Sequence, residues 1–292
     1  MAGSGTAGAG GTITISDPLT LATGGVTLDT GTTAGGVTIS STVNGAVDLD
    51  ITSGTGAVAI QGVVGGTAAL ATLDVNATSG NGTIEVTDVG DGNPSAGVTG
   101  LTRLGNAATG TLTLDGTNYD FGGGFTLGSA TYTLSGSTGS FATSGDVNFP
   151  GNVVVDGTFS VDSGGGDITI AGNITGTDGD EIVTLTDGTG GDGTGTITIG
   201  GTIGNTAGST SNIKSVTLTG DTAISLGGDI TTSTAATSSI DINGNVTLTS
   251  NVTIDADQHS GDNVDFSGTI NSDSTARNLT IKTSGGAVVI QG

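Results

Sequence analysis

The groups in this chain best suited to chemistry are its carboxylates. Of 27 acidic residues, only Glu85 and Glu181 are glutamates; the rest are aspartates. They gather in short glycine-rich stretches: Asp88 with Asp91; Asp178, Asp180 and Glu181; Asp187 with Asp192; and Asp255, Asp257, Asp262 and Asp265. Hard oxygen ligands carried on turns are what calcium takes, so calcium is the one cofactor the sequence suggests. The competing reading is structural, because aspartate before glycine is ordinary turn chemistry. Neither reading is settled by spacing. Asp255-Ala256-Asp257 opens like an EF-hand loop, but Phe266 stands where the bidentate glutamate belongs. The run from Asp187 (D-G-T-G-G-D-G-T-G) is only loosely similar to a glycine- and aspartate-rich calcium nonapeptide.

Catalysis has less to work with. His259 is the one histidine, in the hydrophilic stretch D-A-D-Q-H-S-G-D, which reads as a solvated loop rather than a relay held by a carboxylate. Two aspartates on stacked strands can meet the ~5–10 Å separation that glycosidases use. The arginines, lysines and aromatics that would hold a substrate around them are nearly missing, so the chain is read as a non-enzyme. Seven of its eight aromatics, Tyr119, Phe121, Phe125, Tyr132, Phe141, Phe149 and Phe159, are concentrated in one stretch. They form either a platform for sugar rings or an aromatic stack in the core. Alternation turns most of them toward the apolar face, leaving Tyr119 and Tyr132 as the two that could sit half exposed and touch glycans. Thr-x-Thr recurs at Thr12-Thr14, Thr111-Thr113, Thr131-Thr133 and Thr247-Thr249, too irregularly for an ice-binding array. Asn-x-Ser/Thr sequons occur at Asn76, Asn81, Asn173, Asn245, Asn251 and Asn278.

The elements that must position these groups follow a recurring pattern: apolar, any, apolar, any, glycine, any, apolar. It reads V-A-I-Q-G-V-V from Val58, V-N-F-P-G-N-V from Val147 and I-T-I-A-G-N-I from Ile168. It returns from Ile197, Ile224 and Val264, from Val246 with serine for glycine, and from Val288. Alternation places one set of side chains inward, and glycine lets the chain turn a corner. The starts from Val147 onward are separated by 21, 29, 27, 22, 18 and 24 residues. That spacing predicts an all-β chain, a parallel β-helix (β-solenoid) of about 12 coils, rising about 4.8 Å per coil to a rod of about 55–60 Å. Uneven coils suit a solenoid, where each coil touches only its neighbours. Tandem β-sandwiches are the alternative. Residues 1–10 read as a flexible tail, 11–292 as the solenoid, and 88–110 as a loop or excursion containing Asn93-Pro94.

Composition agrees. The 292 residues include 58 Gly and 56 Thr, no Cys and a formal charge of −23. Alternating Val, Ile and Leu and a mean hydropathy of +0.16 argue against disorder. The four basic residues, Arg103, Lys214, Arg277 and Lys282, are scattered, which speaks against nucleic acid as a partner and against anionic membrane surfaces. No apolar run approaches the ~18 residues of a membrane-spanning helix. The opening residues lack the features of an export signal. A strand begins soon after residue 10 and a motif copy is still running at Val288. This predicts strand edges open to pairing, either with flanking repeats of a longer chain or with another copy end to end.

Runs such as Gly166-Asp167-Ile168-Thr169-Ile170-Ala171-Gly172-Asn173-Ile174 resemble the repeat regions of filamentous-haemagglutinin-like bacterial surface proteins. The run from Val58 is similar to repeats of giant glycine-rich adhesins. The resemblance covers most of residues 11–292 and implies a right-handed parallel β-helix, secretion, and a role at the bacterial or archaeal cell surface or in an extracellular matrix. It transfers no binding residues. The leading expectation is therefore a structural protein, a segment or subunit of an extracellular fibre or cell-surface adhesin. The alternatives are a glycan- or calcium-binding adhesion module and a fibre subunit polymerised by donation of residues 1–16 as a strand.

Overall fold

A computed structural model describes residues 10–92, 96–129, 131–134, 138–188, 194–205, 209, 213–234 and 238–292, with the side chains of 129, 138 and 257–259 outside the described set. The tail expected over residues 1–10 thus lies almost wholly outside it, as do Asn93-Pro94. The chain is all-β with no helix among the described residues, and its strands stack in parallel into a β-solenoid. The parallel pairing excludes sandwiches, whose strands run antiparallel. The chain divides into two compact units, Met1–Pro150 and Gly151–Gly292. The faces of each are numbered below in the order the chain meets them.

In the first unit, face 1 stacks Ile13–Ile15, Val37–Ile39, Val58–Ile60, Ile84–Val86, Leu112–Leu114 and Thr131–Leu134. Face 2 carries Leu19–Thr20, Val43–Asn44, single bridges at Val64 and Val89, then Asn118–Phe121 and Thr138–Thr143. Face 3 stacks Val26–Asp29, Leu49–Thr52, Leu73–Val75, Thr102–Thr109, Phe125–Ser129 and Val147–Phe149. In the second unit, face 1 runs through Asn152–Val155, Ile174–Gly176, Ile203, Ile230–Thr231, Val252–Ser260 and Leu279–Ser284. Face 2 holds Thr158–Asp162, Ile182–Thr186, Ser215–Thr219, Ser239–Asn243, Asn263–Phe266 and Val288–Ile290. Face 3 holds Ile168–Ile170, Thr196–Ile199, Ala223–Leu226, Val246–Leu248 and Ile270–Ser272.

The apolar members of each alternating strand point inward. Val37, Ile39, Val58, Ile60, Ile168, Ile170, Ile197 and Ile199 are all at most 1% exposed. In register they build continuous Val/Ile/Leu columns, the buried surface a parallel sheet requires. In the first unit the columns widen into an aromatic block. Tyr119 stacks on Phe141 at 4.7 Å, and Phe149 meets Phe125 and Tyr132 edge-on at 5.2 and 5.7 Å.

Face 1 carries six layers in each unit, in keeping with the expected count of about 12 coils, although the motif does not step evenly. Its glycine marks a corner but not always the same one. In the second unit Gly172, Gly201, Gly228 and the variant Ser250 follow face 3, whereas Gly268 and Gly292 follow face 2. Mixing corners makes the motif spacing uneven, as in the 18-residue gap from Val246 to Val264. Along face 1 the true steps are 24, 21, 26, 28 and 20 residues from Ile13 to Tyr132. From Val153 to Ile281 they are 21, 29, 27, 24 and 27. The corner glycines are needed for close approach. A Cβ built on Gly201 would lie 2.4 Å from the Gly172 carbonyl oxygen, and one on Gly228 2.3 Å from that of Gly201.

Residues 88–110 ride in the stack for most of their length. Val89 bridges Val64 and Tyr119, Val98 bridges Leu70 and Phe121, and Thr102–Thr109 pairs on both sides. The excursion shrinks to a bulge between Gly105 and Thr109.

Candidate functional site

Among the described residues, one group of acidic side chains converges: Asp178, Asp180 and Glu181, with ligand oxygens within 4.8 Å of one another. It sits on the loop joining Ile174–Gly176 to Ile182–Thr186. Gly179 takes a left-handed φ of 97° there, which folds the loop back over Glu181. The Glu181 side chain is buried while both aspartates are exposed. Its carboxylate accepts the backbone N–H groups of Asp178 and Gly179, each at 2.8 Å, and of Thr177, together with the Thr177 hydroxyl at 3.0 Å. Burial pushes the Glu181 carboxyl up, but these hydrogen bonds outweigh it and hold the group below the usual carboxylate range. Asp178 is raised, chiefly because its carboxyl shares a hydrogen bond with Asp180. The loop is thus organised around an internal anion, with two carboxylates facing water beside it.

The other predicted ligands are placed differently. Asp187 is buried, and both of its oxygens accept the Asp221 N–H at 2.9 and 3.0 Å. Asp192 lies outside the described residues. Asp262 is buried and accepts the Ser238 N–H at 2.7 Å. Asp255 is 4% exposed and accepts the Lys282 ammonium at 2.9 Å. Asp257 and His259 lie within the strand Val252–Ser260, a strand rather than the expected loop, and their side chains are outside the described set. Asp187, Asp255 and Asp262 each bind protein donors from a neighbouring turn.

The same device recurs along the corners, where sequence reasoning missed it. Asn152 Oδ1 accepts the Asn173 N–H at 2.9 Å, and Asn173 Oδ1 accepts the Thr202 N–H at 2.9 Å. Asp229 serves Thr253 at 2.6 Å, and Asn251 serves Asn278 at 3.0 Å. Each caps a backbone donor one turn along, at the corner where the strand ladder lapses. The available signal was Asn or Asp directly after a corner glycine, as in Gly151-Asn152, Gly172-Asn173 and Gly228-Asp229. These bonds also occupy the side chains of the sequon residues Asn173 and Asn251, and Asn76 is buried.

The reading of Tyr119 and Tyr132 as half-exposed glycan platforms is overturned. Both are 0% exposed. The Tyr119 hydroxyl accepts the Gly116 N–H at 2.7 Å and donates to the Val86 carbonyl at 3.2 Å, while Tyr132 donates to the Leu127 carbonyl at 2.9 Å. The polar tips reach buried backbone partners, so the rings can be wholly internal. Burial pushes the Tyr119 phenol far above its ordinary range.

Three of the four cations are paired with aspartates. Arg103 grips Asp74 on the adjacent rung with two donors, Arg277 holds Asp273, four residues before it, with two, and Lys282 meets Asp255. Beside the first pair, burial and the neighbouring Asp74 carboxylate raise Asp50. No helix of the described chain is long and apolar enough to cross a membrane. The site and the fold together define a parallel β-solenoid. The chain matches no protein-family model, no curated protein and no solved structure.

Proposed function

We propose that this chain is a structural protein: a β-solenoid segment or subunit of an extracellular fibre or cell-surface adhesin, bacterial or archaeal, that extends by adding rungs to an open β end. Its work is mechanical and involves no catalysis. Continuous backbone ladders and Val/Ile columns resist bending, and each turn is supported by its neighbours. One observation carries the reading. In the outermost described layer of the second unit, Val288 and Ile290 continue the inward columns of Val264 and Phe266, yet they are 45% and 53% exposed. An apolar, in-register strand edge is a template for a further parallel strand, supplied by flanking repeats or by another copy. The surface suits this role: a charge of −23 opposes sideways clumping, and the pairing of arginines and lysine with aspartates leaves little basic surface for nucleic acid.

Sedimentation velocity of the chain and of Ile290→Asp over a concentration series tests the proposal. Concentration-dependent growth that Ile290→Asp abolishes supports it. Equal sedimentation of the two proteins at every concentration removes self-addition through this edge.

A further inference from the structure

The first unit holds a groove that the fibre role does not use. It runs along the corner between faces 3 and 1, spans four successive turns from Asp29 to Ala108, and has a volume of about 520 Å³. That is the size range of small-ligand sites. Polar residues behind and along this corner form two rows with different bonding, Thr30, Ser53 and Asn76 lying behind the lining itself. The inner row is buried and spent on the protein. Thr30 donates to the Gly35 carbonyl at 2.6 Å, Ser53 to that of Gly56 at 2.7 Å, and Asn76 accepts the Ser53 N–H at 2.7 Å. Asn106 reaches across the next turn to the carbonyls of Asn76 and Gly80 at 2.6 and 2.7 Å. This fixes the floor. The outer row, Thr32, Thr55 and Thr78, is exposed, one residue from each of three turns. Its hydroxyls make no hydrogen bond among the described residues, so their capacity to donate and accept is unspent.

We infer that this corner groove binds a neutral oligosaccharide laid along the coil axis. The lining selects that chemistry by elimination. No large apolar side chain lines it, so it offers nothing to a lipid or an aromatic ligand. It contains no cation, and its single carboxylate, Asp29, accepts the Gly31 N–H at 2.7 Å, which together with the charge of −23 repels anions. An extended peptide finds no free ladder. The corner amides are already satisfied: Gly54 donates to Gly31, Thr55 to Thr33 and Asn81 to Gly54, at 2.8–3.0 Å. What remains is a row of hydroxyls repeating with the rise of the coil, about 4.8 Å, close to the length of one hexose unit. A polyhydroxyl chain can therefore place one sugar per turn against them.

The test is nitrogen–proton NMR of the whole chain titrated to about 10 mM, the range of weak glycan contacts, with each of maltohexaose, cellohexaose and N-acetylchitohexaose. The expected result is saturable shifts confined to amides of the groove with at least one of the three. Thr55→Arg and Thr78→Arg, both at exposed positions, fill the groove and are expected to weaken binding at least tenfold. Thr14→Arg, exposed on face 1, leaves it unchanged. No shift with any hexaose, or shifts that persist undiminished in both groove variants, overturns the inference.

Discussion

Replacing Gly201 with alanine puts one methyl group into a tight corner of the second unit. The added carbon would stand 2.4 Å from the Gly172 carbonyl oxygen and 2.5 Å from Asn173 Oδ1. A comfortable carbon–oxygen contact is about 3.3 Å or more, so the turns must part by most of an ångström. The nearest obstacle is backbone and cannot swing aside. Overpacking of this kind costs about 1–3 kcal/mol. Displacing Asn173 also loosens its 2.9 Å bond to the Thr202 N–H, worth about 1 kcal/mol. The expected loss is about 3 kcal/mol. Because a solenoid's turns couple to their nearest neighbours, it should fall on the turns carrying Gly172, Gly201 and Gly228. Hydrogen exchange read by mass spectrometry should show protection lost at residues 168–231 and retained in the first unit. Gly11→Ala is the control: nothing lies within 4 Å of its Cβ, so it should be neutral or stabilise by about 0.4–1 kcal/mol through the unfolded chain. If Gly201→Ala unfolds within about 0.5 kcal/mol of the parent protein, corner glycines are not what sets the spacing of the turns.

Other consequences follow from the buried polar groups. Glu181→Ala should cost about 2 kcal/mol at neutral pH by stripping acceptors from the Thr177–Gly179 amides. Because the folded carboxyl is held below its unfolded value, this stability is present above about pH 4.3 and is lost as pH falls through the lower folded pKa. The difference between the two proteins in urea unfolding should therefore narrow in acid, and a gap that widens there contradicts the assignment. Tyr119→Phe should cost about 1–2 kcal/mol because the Gly116 N–H and Val86 carbonyl lose their partner. Spectrophotometric titration should find the Tyr119 phenol neutral until the protein unfolds in alkali. Asn173→Ala should cost about 1 kcal/mol and speed exchange of the Thr202 amide, whereas substitution of exposed Asn81 should do neither.

What could be read in advance divides along physical lines. The inward stripes of Val58, Ile60, Ile168 and Ile170 were legible because alternation encodes a face directly. Parallel stacking followed from motifs recurring at one-turn spacing. Which corner a glycine serves was not legible, because the local pattern around Gly172 and Gly268 is the same though they close different faces. The inward aspartates escaped for another reason. Polarity assigns Asp187 and Asp262 to solvent, and only the assembled turns reveal the backbone N–H groups that draw them in. Tyr119 and Tyr132 were misplaced similarly: the Tyr119 acceptor lies a full turn back on Val86, and strand alternation does not encode the corner that brings the Leu127 carbonyl to Tyr132. The convergence of Asp178, Asp180 and Glu181 was visible as a cluster. That Glu181 is the loop's internal anion was not.

The most direct test of the central claim is X-ray diffraction from aligned filaments grown from the purified chain, alongside electron micrographs of the same sample. The account predicts unbranched filaments with a meridional reflection near 4.8 Å, the spacing of strands stacked along the axis, and loss of the filaments in Ile290→Asp. Filaments whose strands run parallel to the axis would contradict it, and dispersed particles at every concentration would remove self-addition and leave flanking repeats as what covers the edge.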